Sequence, residues 1–139
     1  MGVIRVGLLG LGTVGSGVFK TIQQQQQNLL NRVGHKVEVV KVLVRDKQKK
    51  RSLSIDEELL TTSFEEVLEA DLDVLIEVMG GVEPTFDYIY EAFQKGCHVV
   101  TANKELLAKR GKELIKIAHH FQRHFYYEAS VAGGIPILG

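Results

Sequence analysis

One cysteine, two prolines and no tryptophan occur in a chain of 139 residues, and its 17 lysines and arginines are matched by 17 aspartates and glutamates. Each shortage excludes something. A lone Cys97 can form neither an internal disulfide nor a zinc cluster, which fits a reducing cytosol and predicts a cytoplasmic protein. A formal net charge of zero supplies no long-range field, so no nucleic acid and no membrane is expected as a partner. No apolar run approaches the ~20 residues that span a bilayer. The apolar stretch behind Arg5 is interrupted by Gly7, Gly10, Gly12 and Gly15, which reads as structure and not as a signal peptide. Gly2 opens no myristoylation motif, because Val6 stands where Ser or Thr is required. What remains, 45% hydrophobic and 24% charged residues, is the composition of a single globular core.

Periodicity gives that core its elements. Val3 to Leu9 is a short β-branched run that predicts a buried strand. Val14, Val18, Ile22 and Leu29 then fall on one helical face, predicting a helix from Thr13 to about Leu30, with the five glutamines Gln23 to Gln27 as a solvated extension. Val37 to Val44 reads as a second strand, followed by a basic loop. Leu59 to Thr62 suggests a short strand, and Ser63 with Glu66 has the spacing of a capping box for a helix ending near Ala70. Asp73 to Val78 is apolar and leads to Gly80 and Gly81; Pro84 suits the first turn of a helix that stops at Gly96. Cys97 to Thr101 predicts a strand, Leu107, Gly111, Leu114, Ala118 and Phe121 mark a helix face, and Phe125 to Glu128 closes the series. Strands alternating with helices predict an α/β domain with a parallel sheet covered on both faces. The glycine-rich stretch from Ala132 to Gly139 predicts a continuation into a further domain.

Gly10, Leu11, Gly12, Thr13, Val14 and Gly15 spell G-x-G-x-x-G between the first strand and the first helix. There the first glycine permits a tight turn, the second lets backbone approach a pyrophosphate, and the third lets the helix pack closely on the strand. The free N-H groups and positive dipole end of the helix complete an anion site. This unit predicts a Rossmann-like, doubly wound sheet that binds a dinucleotide. The end of the second strand decides between cofactors, since a carboxylate there binds a ribose 2′-hydroxyl and an arginine a 2′-phosphate. Arg45, with Lys47, Lys49, Lys50 and Arg51 nearby, favours NADP, whereas Asp46 turned inward would serve NAD, and the plainer alternative is a solvated basic loop with no ligand. Gly80 and Gly81 are placed to bring backbone near a cofactor, or form an ordinary turn. Lys104, beyond the fifth strand in Thr101, Ala102, Asn103 and Lys104, either reaches a nicotinamide and its substrate or merely begins a surface helix. Glu77 is a satisfied buried carboxylate or a site residue, and the sequence does not choose. His120 and His124 have a metal-ligand spacing without a third ligand, and Cys97 reads as a small core residue.

Taken together, GLGTVG at Gly10 to Gly15, EVMGGVEPT at Glu77 to Thr85, VTANKELLA at Val100 to Ala108 and EASVAGGIP at Glu128 to Pro136 resemble the homoserine dehydrogenases. The resemblance implies NAD(P)-dependent interconversion of aspartate 4-semialdehyde and homoserine, in the biosynthesis of threonine, methionine and isoleucine. It implies that Gly10 to Gly15 form the dinucleotide loop, that Arg45 contacts the 2′-phosphate, and that Lys104 lies near nicotinamide and substrate in a supporting role. It further implies that Glu128, Val131, Gly133 and Ile135 hold a monovalent cation, sodium, chiefly through backbone oxygens. Residues 1–130 are then the dinucleotide-binding domain and 131–139 the start of a connection. The substrate domain, the main proton-donor lysine and most of a homodimer interface are expected beyond Gly139, leaving the isolated chain inactive. Another aldehyde or sugar dehydrogenase, and a non-catalytic dinucleotide sensor, share the glycine loop.

Overall fold

The computed structural model describes residues 2–127. Strand β1 (Val3–Leu9) leads into α1 (Thr13–Gln24) and α2 (Gln26–Val33), then β2 (Lys36–Leu43). A short 3-10 turn precedes β3 (Leu60–Thr61), followed by α3 (Phe64–Leu68), β4 (Val74–Glu77), α4 (Thr85–Gln94), β5 (His98–Thr101), α5 (Lys104–His120) and β6 (Phe125–Tyr127). The strands form one sheet of order β3-β2-β1-β4-β5-β6, and every pairing is parallel. The chain thus winds outward in both directions from the β1/β4 pair, which is the doubly wound arrangement expected from the sequence.

Side-chain alternation sends the two halves of each strand to different layers. Val6, Leu8, Val37, Val39 and Val42 pack with Val18, Phe19 and Ile22 of α1. On the other face Leu9, Leu75 and Val99 pack with α3, with Ile89, Ala92 and Phe93 of α4, and with Leu106, Leu114 and Ala118 of α5. Phe19 and Phe93 are the largest fully buried side chains, one in each layer. Each contributes roughly 1.5 to 3 kcal/mol by leaving water.

Three local expectations are corrected. The first helix does not run unbroken to Leu30: it ends at Gln25 (φ −105°, ψ 25°) and restarts as α2. Within the glutamine run, expected as a solvated extension, Gln26 is half-buried, and its amide Nε2 donates to the carbonyls of Ile22 (2.6 Å) and Val37 (2.9 Å), tying the break to β2. Ser63 does precede α3 but forms no capping box. Its hydroxyl donates to Glu65 at 3.1 Å, and its N-H is taken by Thr61 Oγ1 at 3.0 Å, leaving nothing for Glu66 to bind. In α5 the buried face starts at Leu106 and not Leu107, because a non-helical Arg110 (φ −138°, ψ 16°) shifts the phase of the face.

Candidate dinucleotide site

Register builds the site. Leu43 pairs with Leu9, Leu9 with Glu77, Glu77 with Thr101, and Thr101 with Tyr127. The strands therefore stop in one row, and the loops carrying Gly10, Arg45, Gly80 and Lys104 all leave at the same carboxyl edge. In open α/β sheets that edge is where ligands bind, at the point where strand order reverses. Arg45 leaves β2 and Lys104 leaves β5, three strand spacings apart, or roughly 14 Å along the edge.

The glycine loop is fixed by close approach. Gly10 adopts φ +105° and donates its N-H to the Leu43 carbonyl at 3.0 Å. A Cβ there would stand 3.0 Å from Met79 Cα. A Cβ on Gly15, the first buried residue of α1, would meet the Gly10 carbonyl carbon at 2.8 Å and collide with its oxygen. Gly12 differs, since no protein atom lies within 4 Å of its Cβ position. It is the N-cap of α1, which has no side-chain cap and no acidic residue in its first turn. Leu11 packs on the core while Thr13 and Val14 are exposed. Open space above Gly12 and uncapped N-H groups on Thr13 and its successors make a cradle that a pyrophosphate fits and a Cβ would fill.

Arg45 is exposed and, among the described residues, makes no hydrogen bond or ion pair. Asp46 is engaged in its own turn, its Oδ1 accepting the Gln48 N-H at 2.8 Å. Arg51 closes the loop by donating to the carbonyls of Asp46 (2.7 Å) and Lys49 (3.1 Å).

Beyond β4, Gly80 and Gly81 both have positive φ, +81° and +79°. Their turn is pinned from below by Glu77, which is fully buried: Oε2 accepts the N-H groups of Met79 and Gly80, both at 3.0 Å. The carboxyl group also accepts the Thr101 hydroxyl at 2.5 Å, and Thr101 Oγ1 in turn accepts the Asn103 N-H at 3.1 Å. Asn103 caps α5 by accepting the Leu106 N-H (3.1 Å) and donates from Nδ2 to the Gly81 carbonyl (2.6 Å). Farther out, Arg110 donates to Glu83 at 3.0 Å and to Glu113 at 3.0 Å, and its guanidinium lies 3.4 Å from the centre of the Phe86 ring. The hydrogen bond from Arg110 holds the Glu113 carboxyl below the usual carboxylate range.

Lys104 is exposed and begins α5, as the plainer reading of the sequence had it, but it does so at the carboxyl edge. Glu77 proves to be a satisfied buried group that shapes the site. Thr101 and Asn103 went without a role in the sequence reading, although Asn103 three residues before Leu106 carried the signature of a helix cap. His120 and His124 take different neighbours: the His120 ring packs edge-on against Phe121, and the His124 ring lies tilted against His98. No group of three or more potential ligands among the described residues is arranged to hold a metal ion. Cys97 is buried, and burial followed by the charge of Asp73 pushes its thiol up to about 11, so it is a core residue. Glu128, Val131, Gly133 and Ile135 lie outside the described residues. No helix among those described is long and apolar enough to cross a membrane.

A family model described as the NAD binding domain of homoserine dehydrogenase matches residues 10–128. The chain belongs to the homoserine dehydrogenase family, as its dinucleotide-binding domain. It is 54% identical over 139 residues to a homoserine dehydrogenase of Bacillus subtilis, covering 99% of this chain and 32% of that protein. The crystal structure of S. aureus homoserine dehydrogenase at pH 6.5 superposes with a TM-score of 0.86 at 44% identity, over 97% of this chain and 34% of that one. That of the Thiobacillus denitrificans homoserine dehydrogenase gives 0.85 at 40% identity, over 97% and 31%. The chain thus spans about a third of the length of the homoserine dehydrogenases it matches.

Proposed function

We propose that this chain is the cofactor-binding part of an NADP-preferring homoserine dehydrogenase, which interconverts aspartate 4-semialdehyde and homoserine. The observation that carries the reading is the single row of strand ends. It sets Arg45, the glycine loop, the Gly80–Gly81 turn and Lys104 along one edge, in the order that a dinucleotide running from its 2′-phosphate to its nicotinamide would require. The uncapped start of α1 binds the pyrophosphate through N-H groups and dipole. Arg45, with no protein partner, pairs with the 2′-phosphate by charge-assisted hydrogen bonds, while Asp46 is engaged with Gln48. When bound, the reduced nicotinamide supplies the hydride. Lys104 holds a positive charge beside the substrate oxygen, where negative charge develops as the aldehyde is reduced. A cation at the first turn of a helix is disfavoured by about 0.3 to 1 kcal/mol, so its position there has a functional rather than a stabilising rationale.

The proton donor, the homoserine-binding groups and a homodimer interface belong, on this reading, to the longer protein. A sodium ion at Glu128, Val131, Gly133 and Ile135 rests on the sequence resemblance alone, as does a cytoplasmic location on composition. Fluorescence titration of this chain with both reduced cofactors is the test. NADPH is expected to bind at least tenfold more tightly than NADH, the scale of one charge-assisted pair. Equal affinity, or a preference for NADH, would assign the ribose pocket to Asp46.

A further inference from the structure

The dinucleotide reading gives no role to Glu77, yet this residue ties the loop after β4 to the end of β5. It ends β4 in register with Leu9 on one side and Thr101 on the other, with its side chain fully buried. One carboxyl oxygen gathers the N-H groups of Met79 and Gly80. The other takes the Thr101 hydroxyl, whose oxygen receives the Asn103 N-H. Asn103 then grips both the Gly81 carbonyl and the first turn of α5, directly before Lys104. Thr85 closes the remaining side by donating to the Gly80 carbonyl at 2.9 Å.

This is a continuous polar strut, Glu77 to Thr101 to Asn103, across the carboxyl ends of β4 and β5. No described buried side-chain polar atom lacks a hydrogen-bond partner, so the strut holds one arrangement and not several. Its outputs are two: the positive-φ turn at Gly80–Gly81, whose Met79 neighbour abuts Gly10, and the start of α5. Both lie on the β4/β5 side of the edge. The adenine side, at Arg45 beyond β2, shares none of these bonds.

We propose that Glu77 is a positioning residue for the nicotinamide half of the cofactor: its buried carboxyl group fixes the Gly80–Gly81 turn and, through Thr101 and Asn103, the start of α5 that carries Lys104. The inference rests on the dinucleotide reading above and deepens it. The residue touches no ligand itself.

Chemistry selects the variants. In Glu77→Gln the amide can keep one oxygen for the two backbone N-H groups, but its NH2 then faces Thr101, whose own hydroxyl proton loses its acceptor in a buried site. Thr101→Val breaks the strut at its centre with little change of volume, leaving the Asn103 N-H unpaired. Thr101→Ser restores the hydroxyl.

Two probes separate the halves of the cofactor. NADPH reports the whole edge, and adenosine 2′,5′-bisphosphate reports only the adenine side. With this chain, Glu77→Gln and Thr101→Val are expected to weaken NADPH at least tenfold, the scale of an orphaned buried hydrogen-bonding group. Binding of adenosine 2′,5′-bisphosphate should stay within twofold of the unaltered chain, and Thr101→Ser should recover NADPH binding. Equal weakening of both probes, in variants whose circular dichroism is unchanged, would make the strut a general support and overturn the proposal; so would unchanged NADPH binding in both. If Glu77→Gln does not fold, Thr101→Val and its serine rescue decide alone. Failure of the unaltered chain to bind either probe would instead remove the dinucleotide reading, and the proposal with it.

Discussion

Two arginines at opposite ends of the same sheet show how differently its edges are built. Arg5, near the amino end of β1, is bound to the chain on every side: its guanidinium donates to the carbonyls of Ala70 (2.6 Å) and Asp71 (2.8 Å), and its N-H to Asp73 (2.8 Å). Asp73 O in turn accepts the His98 N-H at 2.9 Å, so this end is laced to itself. Arg45, at the carboxyl end, has no protein partner among the described residues. Lys104 shares that condition, whereas the uncharged and acidic groups of the carboxyl end are engaged in shaping its loops. A charge already bound to backbone contributes stability, while one left over at a strand-end row is available to a ligand. At the carboxyl edge the fold leaves Arg45 and Lys104 available to a ligand.

The largest effect should come from Lys104. In the longer enzyme proposed above, Lys104→Ala is expected to lower kcat by about a hundredfold, the scale of losing one electrostatic stabiliser of a transition state. NADPH affinity should change far less, because the glycine loop and Arg45 remain. Steady-state kinetics with a raised cofactor KM and unchanged kcat would reduce Lys104 to a dinucleotide contact, and the carboxyl edge would lose its catalytic claim.

The two arginines themselves supply a crossed test. Arg5→Ala should cost about 2 kcal/mol of stability, as charge-assisted bonds to two carbonyls are lost, and leave NADPH binding unaltered. Arg45→Ala should do the reverse, with stability inside about 0.5 kcal/mol and a loss confined mainly to NADPH. Urea unfolding and fluorescence titration of both variants measure it. A destabilised Arg45→Ala would break the comparison, because it would reveal a structural partner for that side chain.

The same contrast explains what was legible in the sequence. Gly10 to Gly15 could be read because its constraints are local: a positive φ, a collision with a neighbouring carbonyl and an open N-cap all follow from spacing within six residues. The alternation of strands and helices was equally local, and it gave the parallel sheet and both layers. Glu77 was not assignable, since the partner that carries its contact across the edge, Thr101, lies on another strand 24 residues away, and register alone brings the two together. The break at Gln25 was hidden for the same reason: the contact that marks it is made by Gln26 to Val37 on β2. Arg5 carried no motif, and its bonds to residues 65 and 66 positions away exist only once β1 lies beside β4.

The smallest expected effect belongs to the amino end and concerns pH. His98, the first residue of β5, accepts the His124 N-H on Nδ1 at 2.9 Å, which requires that nitrogen to be unprotonated. Its pKa is lowered, first by partial burial and then by Arg123 and His124, with Asp73 opposing. A base whose folded pKa lies below its ordinary value of 6.5 is protonated more readily in the unfolded chain. Its contribution is therefore complete above that ordinary value and is lost as pH falls from there toward the lowered folded one. The melting temperature should decline in that window, and His98→Asn, whose amide oxygen can still accept the His124 N-H, should flatten the decline. At any one pH His98→Asn should bind NADPH as the unaltered chain does, because the group lies at the opposite end of the sheet from Arg45 and Lys104. A change in cofactor affinity in that variant would mean that the two ends are coupled through β5, and the division between a self-bound edge and a ligand-facing one would have to be redrawn.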